Sequence, residues 1–378
     1  MRFSDIPGLA QIKTLLIDAA KSNHIAHAQL FVGAAGALNL PLALAYATYL
    51  HCENRSDDAC GSCAACSKNA KFIHPDTHFV FPLSNVKNEK DEQRLRAEIL
   101  KSWRSFLLDQ PHGSIDDWTN FYGGEDKQAL ISREESREII KTLSLKPFES
   151  QYKVMVIWQP ELMHPSAANG ILKILEEPPP HTYFIMVTNA ADKLLPTIIS
   201  RTQIVTVPLL ADEELEHYLI SKHGAEAARA RRIAQLADGN VREAIQLLTE
   251  EEDDNTKRFT EWMRACYKRN YSALVQFAEE YHGLDRLSQR TLLTYSVNVM
   301  RETMLHLSGA ATINRSRGEE LKFVQDFSKV MTLEKIERSF QLMNDACFYL
   351  ERNGSAKMIF LDLSLKLSKT LTEPHRMN

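Results

Sequence analysis

The chain has 378 residues, 44% of them hydrophobic and 25% charged, with a formal net charge of −4. It is longer than one hydrophobic core usually supports, so two or three domains are expected. Its acidic balance argues against a protein that coats nucleic acid by itself, since such chains carry a basic excess.

The start, MRFSDIPGLAQ, has no basic-then-apolar leader pattern, and no stretch approaches the ~18 apolar residues of a membrane span. The chain therefore reads as cytoplasmic, with no membrane partner and with reduced thiols. In chain order, LAQIKTLLIDAAKS carries apolar positions at helical spacing, and AHAQLFVG is a short buried strand. The next stretch, LFVGAAGALNLPLALAYA at residues 30–47, has the pattern of a strand, a glycine-bearing loop and a helix start. Such a junction cradles phosphates when it reads G-x-x-x-x-G-K-[ST], because loop N–H groups, a lysine and a Mg²⁺-binding hydroxyl converge there. Here Gly33 and Gly36 remain, but Leu38 replaces the last glycine, Asn39 the lysine and Leu40 the hydroxyl. The scaffold of a nucleotide site is kept without the groups that hold nucleotide.

CENRSDDACGSCAACSKN follows, with Cys52, Cys60, Cys63 and Cys66. The last three form overlapping C-x-x-C pairs, a spacing that lets two thiolates reach one ion from a tight turn. Four soft thiolates with no histidine select tetrahedral Zn²⁺ in a closed, structural site. An iron–sulfur cluster is the rival, although its common motifs are spaced differently. Free structural thiols or a redox pair are the remaining readings, but a redox pair is usually a single C-x-x-C near a helix start. Cys266 and Cys347 lie in helical patterns and read as buried apolar residues.

Residues 81–132 are polar, with the run NVKNEKDEQRLRAEI, and are expected to form a partly helical surface insertion. THFVFP, KVMVIW, TYFIMVT and TQIVTVP are strand-length apolar runs, separated by the helical patterns REESREIIKTLSL and SAANGILKILEE. Strands alternating with helices predict a parallel sheet covered on both faces, ending near residue 207. ADEELEHYLISKHG, AEAARARRIAQLADG and NVREAIQLLTE read as three short helices over 208–250. EEDDN reads as a solvated linker, and 251–378 as a separate all-α domain.

The most specific segment is HPSAANGILKILEEPPPHTYFIMVTNAADKLLPTIISRTQIV. It resembles the clamp-loader branch of the AAA+ ATPases, where A-A-N-x-L-L-K-x-L-E-E-P-P precedes a strand, a sensor position and Ser-Arg-Cys. Ala167, Ala168, Asn169, Leu172, Lys173, Leu175, Glu176, Glu177, Pro178 and Pro179 match, as do Ser200 and Arg201. Gly170 and Ile171 depart within the helix, and Thr202 replaces the cysteine. The cysteine cluster sits between the P-loop helix and HPD (His74 to Asp76), as it does in the bacterial subunits. The resemblance covers about residues 1–250 and implies an AAA+ α/β domain with a parallel sheet, a three-helix lid and an α-helical collar.

The family's Walker B strand should end in Asp-Glu-Ala, and here Trp158, Gln159 and Pro160 stand instead. Two ATP elements are thus lost together, which leaves no charge for phosphates and nothing to bind Mg²⁺. The resemblance therefore implies a subunit that neither binds nor hydrolyses ATP. It assigns Arg201 the role of an arginine finger acting in a neighbour's ATP site. Arg242 falls at the sensor 2 position and reads as a remnant or a structural pair; Thr188 and Asn189 fall at sensor 1 and carry the same reading. The implied partners are the delta and gamma/tau subunits of a hetero-pentamer, with a sliding clamp and primed DNA reached through the complex. The alternative is an ATP-hydrolysing, gamma/tau-like subunit with a divergent P-loop. A zinc-dependent DNA-binding module on the same fold is a third reading, and the acidic charge opposes it.

Overall fold

The computed structural model describes residues 1–84, 92–124, 129–249, 255–284, 286–310, 318–352 and 354–372. The polar runs at 85–91 and 125–128 and the acidic linker at 250–254 lie outside the described residues. The chain divides into two compact units, Met1–Gln246 and Leu247–Asn378.

The first unit is built on five strands: β1 (Ala28–Gly33), β2 (Thr77–Val80), β3 (Lys153–Trp158), β4 (Thr182–Thr188) and β5 (Gln203–Val207). Their order is β2-β3-β4-β1-β5, and every pairing is parallel. The central strands are near-continuous apolar runs because helices cover both faces of the sheet. Val32 pairs with Thr188 and Trp158 with Val187, so the carboxyl ends of β1, β3 and β4 meet along one edge. In open parallel sheets ligands bind at that edge, where the strand order reverses.

The helices of this unit begin with α1 (Ala10–Lys21), α2 (Asn39–His51), α3 (Ala64–Asn69), α4 (Glu92–Asp109) and α5 (Ile115–Phe121). They continue with α6 (Arg133–Ser144), α7 (Pro165–Glu176), α8 (Pro196–Ile199), α9 (Asp212–His223) and α10 (Ala227–Ala237); α11 (Val241–Thr249) runs across the unit boundary at Gln246. Every residue of α2 is buried, which fits a helix that is apolar all round. Pro41 sits in its first turn, where a missing N–H breaks no helical bond.

Among the described residues, the segment at 81–132 holds α4 and α5, and it does not lie only on the surface. Trp103 and Phe106 on α4 and Trp118 on α5 are fully buried. The Trp103 ring stacks on Phe81 at 4.3 Å and lies 5.1 Å from Trp158, and Trp118 Nε1 donates to the Pro82 carbonyl (2.9 Å).

The HPD segment fastens the sheet's edge. The buried Asp76 carboxylate accepts the N–H groups of Phe148, Glu149 and Ser150. Burial alone would raise its pKa, but those three donors outweigh it and hold the carboxyl below its usual range. The His74 ring stacks on His51 at 4.2 Å. Lys153 Nζ donates to the carbonyls of Leu143 and Leu145, capping the C-terminal end of α6.

The second unit comprises α12 (Asn255–Tyr267), α13 (Tyr271–Gly283), α14 (Arg286–Leu307), α15 (Gly318–Ser328), α16 (Leu333–Glu351) and α17 (Ala356–Thr372), with no strand among the described residues. The Phe360 ring stacks on Trp262 and on Tyr281, and Trp262 Nε1 donates to Ser364 Oγ (2.9 Å). Cys266 is buried here, and burial pushes its thiol up to about 12. No described helix is long and apolar enough to cross a membrane.

Trp103→Ala should lower the unfolding free energy of the first unit by about 3–5 kcal/mol, read as an earlier urea midpoint in far-UV circular dichroism. A second expectation concerns acid. His112 Nδ1 is buried without a hydrogen-bond partner, and Nε2 lies 3.5 Å from the Tyr218 hydroxyl. Burial, and then the nearby His223, hold its pKa down at about 4, against 6.5 in an unfolded chain. The unfolded state therefore takes up a proton that the folded state refuses, and stability, complete above pH 6.5, falls as pH drops toward 4. The slope from this group is up to about 1.4 kcal/mol per pH unit. His112→Phe should flatten that slope in urea titrations across the same window.

Candidate functional site

At the carboxyl edge of the sheet, the loop between β1 and α2 is held by neutral groups. Asn39 is buried, its Nδ2 donating to the Thr188 carbonyl (2.9 Å) and its Oδ1 accepting from Leu40 N (3.1 Å). Leu38 and Leu40 are buried beside it. Asn189 Nδ2 donates to the carbonyls of Gly33 (3.0 Å) and Ala34 (2.9 Å), and Gln159 Nε2 donates to Asn189 Oδ1 (2.7 Å). Gln159 reaches this position from a left-handed backbone, φ 56°, while Trp158 turns into the aromatic cluster of α4.

The turn between α10 and α11 packs on the same loop. Gly36 has φ +83°, and a Cβ built there would lie 2.0 Å from Asn240 Oδ1, so both backbone and space demand glycine. The Val241 N–H donates to the Gly36 carbonyl (3.3 Å). Arg242 forms a two-pronged pair with Asp117, Nη2 to Oδ1 at 2.7 Å. The Asp117 hydrogen bond raises the Arg242 pKa further. Burial opposes ionisation of Asp117, yet the Arg242 and Ser114 donors hold its carboxyl below the usual range. Arg242 on α11 and Asp117 on α5 are thereby joined.

Sequence reasoning missed Asn240, Asp117 and Glu161. Glu161 accepts from Asn189 N (3.3 Å), and burial raises its pKa. It is a carboxyl beside the strand ends, two residues beyond the position that the motif inspects. The edge thus holds amides and one carboxyl whose pKa burial raises, with neither Lys nor hydroxyl at residues 39 and 40.

The four cysteines come together. The Sγ atoms of Cys52, Cys60, Cys63 and Cys66 all lie within 4.8 Å of one another. Gly61, φ +74°, makes the left-handed turn that brings Cys60 and Cys63 to one side, and Cys63 then caps the N-terminus of α3. Backbone N–H groups point at sulfur: Cys60 N to Cys52 Sγ (3.2 Å), Cys63 N to Cys60 Sγ (3.3 Å) and Cys66 N to Cys63 Sγ (3.4 Å). The Ser62 and Cys63 N–H groups, with the Ser62 hydroxyl, draw Cys60 down to about 6, while burial raises Cys52 and Cys66. Converging sulfurs with N–H donors aimed at them suit thiolates around one metal ion. Asp58 ties this module to the chain start by accepting from Phe3 N (3.1 Å) and Ser4 N (2.9 Å).

Arg201 lies apart, after α8 on the surface, its side chain 31% exposed. Its Nε donates to Glu176 Oε1 (2.7 Å) at the end of α7. Fold and site therefore combine a P-loop-type edge without its charges, a four-thiol cluster and a surface arginine.

The family model described as DNA polymerase III, delta subunit, matches residues 8–211. The chain belongs to that family. Among relatives of this delta subunit family member, the DNA polymerase III subunit delta′ of Bacillus subtilis is 26% identical over 242 residues, covering 64% of this chain and 60% of that protein. The DNA polymerase III subunit gamma of Buchnera aphidicola is 25% identical over 252 residues, covering 65% of this chain and 57% of that protein. The matches thus span less than two thirds of those relatives' lengths. A solved DNA polymerase III gamma-subunit-related protein of Thermotoga maritima aligns with a TM-score of 0.39 at 14% identity, covering 95% of this chain and 99% of that one.

For this delta subunit family member, metal analysis after purification without chelator should return one thiophilic metal ion per chain. Cys63→Ser should lower that content and destabilise the 52–69 loop, with the helicity of the second unit unchanged. A metal content near zero with all four thiols reactive would exclude the site.

Proposed function

We propose that this chain is a delta-prime-like, non-hydrolysing subunit of the DNA polymerase III clamp loader. It would help place a sliding clamp on primed DNA and supply Arg201 to the ATP site of a neighbouring subunit. The observation that carries this reading is the internal use of the nucleotide positions. Asn39 is bonded to β4, Gln159 to Asn189, and Trp158 is packed among rings. Each of these side chains does structural work where a motor needs a charge, so phosphate and Mg²⁺ find no ligand set. A guanidinium acting in trans explains why such a subunit remains necessary, since it offsets charge that develops on the transferred phosphoryl group.

In this proposal residues 1–207 form the AAA+-like domain, 208–250 the lid and 251–378 the collar that assembles with delta and gamma/tau subunits in a cytoplasmic hetero-pentamer. The cysteines hold structural Zn²⁺, which would fix the local loop and do no chemistry on substrate. The comparable similarity to a gamma subunit favours one second reading, an ATP-hydrolysing subunit with a divergent P-loop. Micromolar affinity for Mg·ATP in the isolated chain would establish that reading instead.

The isolated chain should show no ATP turnover, and Asn39→Lys alone should not create it, because the Walker B acids are still missing. Arg201→Ala should leave the melting temperature and ring assembly nearly unchanged, since exposed ion pairs contribute only about 0–1 kcal/mol. It should lower the DNA- and clamp-stimulated ATPase of a reconstituted loader severalfold. Arg201→Lys should rescue poorly, because an ammonium lacks the planar two-pronged contact. Full activity with Arg201→Ala would refute the trans role, and loss of assembly would make Arg201 an interface residue.

A further inference from the structure

A guanidinium has five N–H donors. In this subunit Arg201 uses Nε and Nη2 on the Glu176 carboxylate, and Nη1 on the Thr197 carbonyl (2.9 Å) and Ser200 Oγ (3.2 Å). One N–H is left over, on Nη2. Two-pronged recognition of phosphate needs two free donors along one edge of the guanidinium. Neither edge offers them. The edge formed by Nε and Nη2 faces Glu176, and both hydrogens of Nη1 are taken.

Glu176 has little reason to be where it is on helical grounds. It is the last residue of α7, followed by Glu177, and carboxylates are disfavoured at that end because the helix dipole is negative there. Lys173 lies in the last turn of α7, and Arg201 is the cation that pairs with Glu176 directly. The pair is also weak enough to open. The two side chains are 31% and 48% exposed, and an exposed pair is salt-screened and easily displaced by a more highly charged anion.

We propose that Glu176 is a positioning residue that latches Arg201 against its own subunit and must release it before the guanidinium can engage a neighbour's phosphate. The proposal rests on the reading of Arg201 as trans-acting. It makes the finger unavailable in the free subunit and available when a neighbouring triphosphate competes for it. The competing chemistry is plain: a polyphosphate offers several oxygens and more charge than one carboxylate.

The test uses Glu176→Gln and Glu176→Ala in loader reconstituted with its motor subunits, beside wild type, Arg201→Ala and the Glu176→Gln/Arg201→Ala double variant. Removing the latch should raise kcat of the stimulated ATPase about two- to fivefold, the range an exposed ion pair supports, with KM for ATP unchanged. The gain should shrink at high salt and vanish in the double variant. In the isolated ¹⁵N-labelled subunit, the Arg201 Nε–H resonance should shift and exchange faster with water in Glu176→Gln. A purely structural pair would lower stability without touching kcat. Unchanged or reduced kcat with Glu176→Gln, with assembly intact and Arg201→Ala lowering the ATPase as expected, would overturn the latch alone. Full activity with Arg201→Ala would overturn the trans role, and the latch with it.

Discussion

The Asn189 side chain holds the carboxyl edge of the sheet together. Its amide donates to two carbonyls at the end of β1 and accepts from Gln159 at the end of β3, while its own backbone continues β4. Three strand ends are thus joined through one neutral group. Hydrogen bonds between neutral groups contribute modestly, about 0.5–1.5 kcal/mol each, but leaving such a group buried and unpaired costs more. A loop shaped around phosphate needs cationic and hydroxyl groups that repel or dangle when phosphate is missing. This one is closed on itself: Asn39 reaches β4, Asn240 covers Gly36, and the edge keeps its form with amides and the Glu161 carboxyl.

The sheet was legible in the sequence because its strands are uninterrupted apolar runs, and the period separates them from the amphipathic helices between. The cysteine cluster was legible because its spacing is local: the turn at Gly61 and the cap at Cys63 need only neighbouring residues. What could not be read was partnership over distance. Nothing in NVREA announces that Arg242 meets Asp117, which lies 125 residues away. Asn240 is an ordinary residue between two helices until Gly36 is seen beneath it. The insertion misled for a related reason, since its charges are contiguous and conspicuous, whereas Trp103, Phe106 and Trp118 are scattered and take effect only when α4 and α5 fold back onto Trp158.

The same distinction separates the two families of charged groups. Asp76, Lys153 and the Asp117–Arg242 pair are turned inward and matched, by backbone N–H, by carbonyls or by each other. They fix loops and helix ends, and removing one partner would strand the other in a poorly solvated place. Arg201 and Glu176 sit at the surface, where a partner can be exchanged at small cost. Burial thus sorts the charges into those that hold shape and those free to change partners.

The aromatic cluster has an optical consequence. The chain has four tryptophans, and three of them, Trp103, Trp118 and Trp158, lie in the first unit, with Trp103 at 5.0 Å from Trp118 and 5.1 Å from Trp158. Trp262 lies in the second unit, stacked on Phe360. Indoles at such separations couple their excited states, so the first unit should carry an exciton signature in ultraviolet circular dichroism. The lone indole of the second unit is buried, with its Nε1 bonded to Ser364 Oγ. Nature has placed distinguishable chromophores in the two halves, and each half reports its own packing without a label.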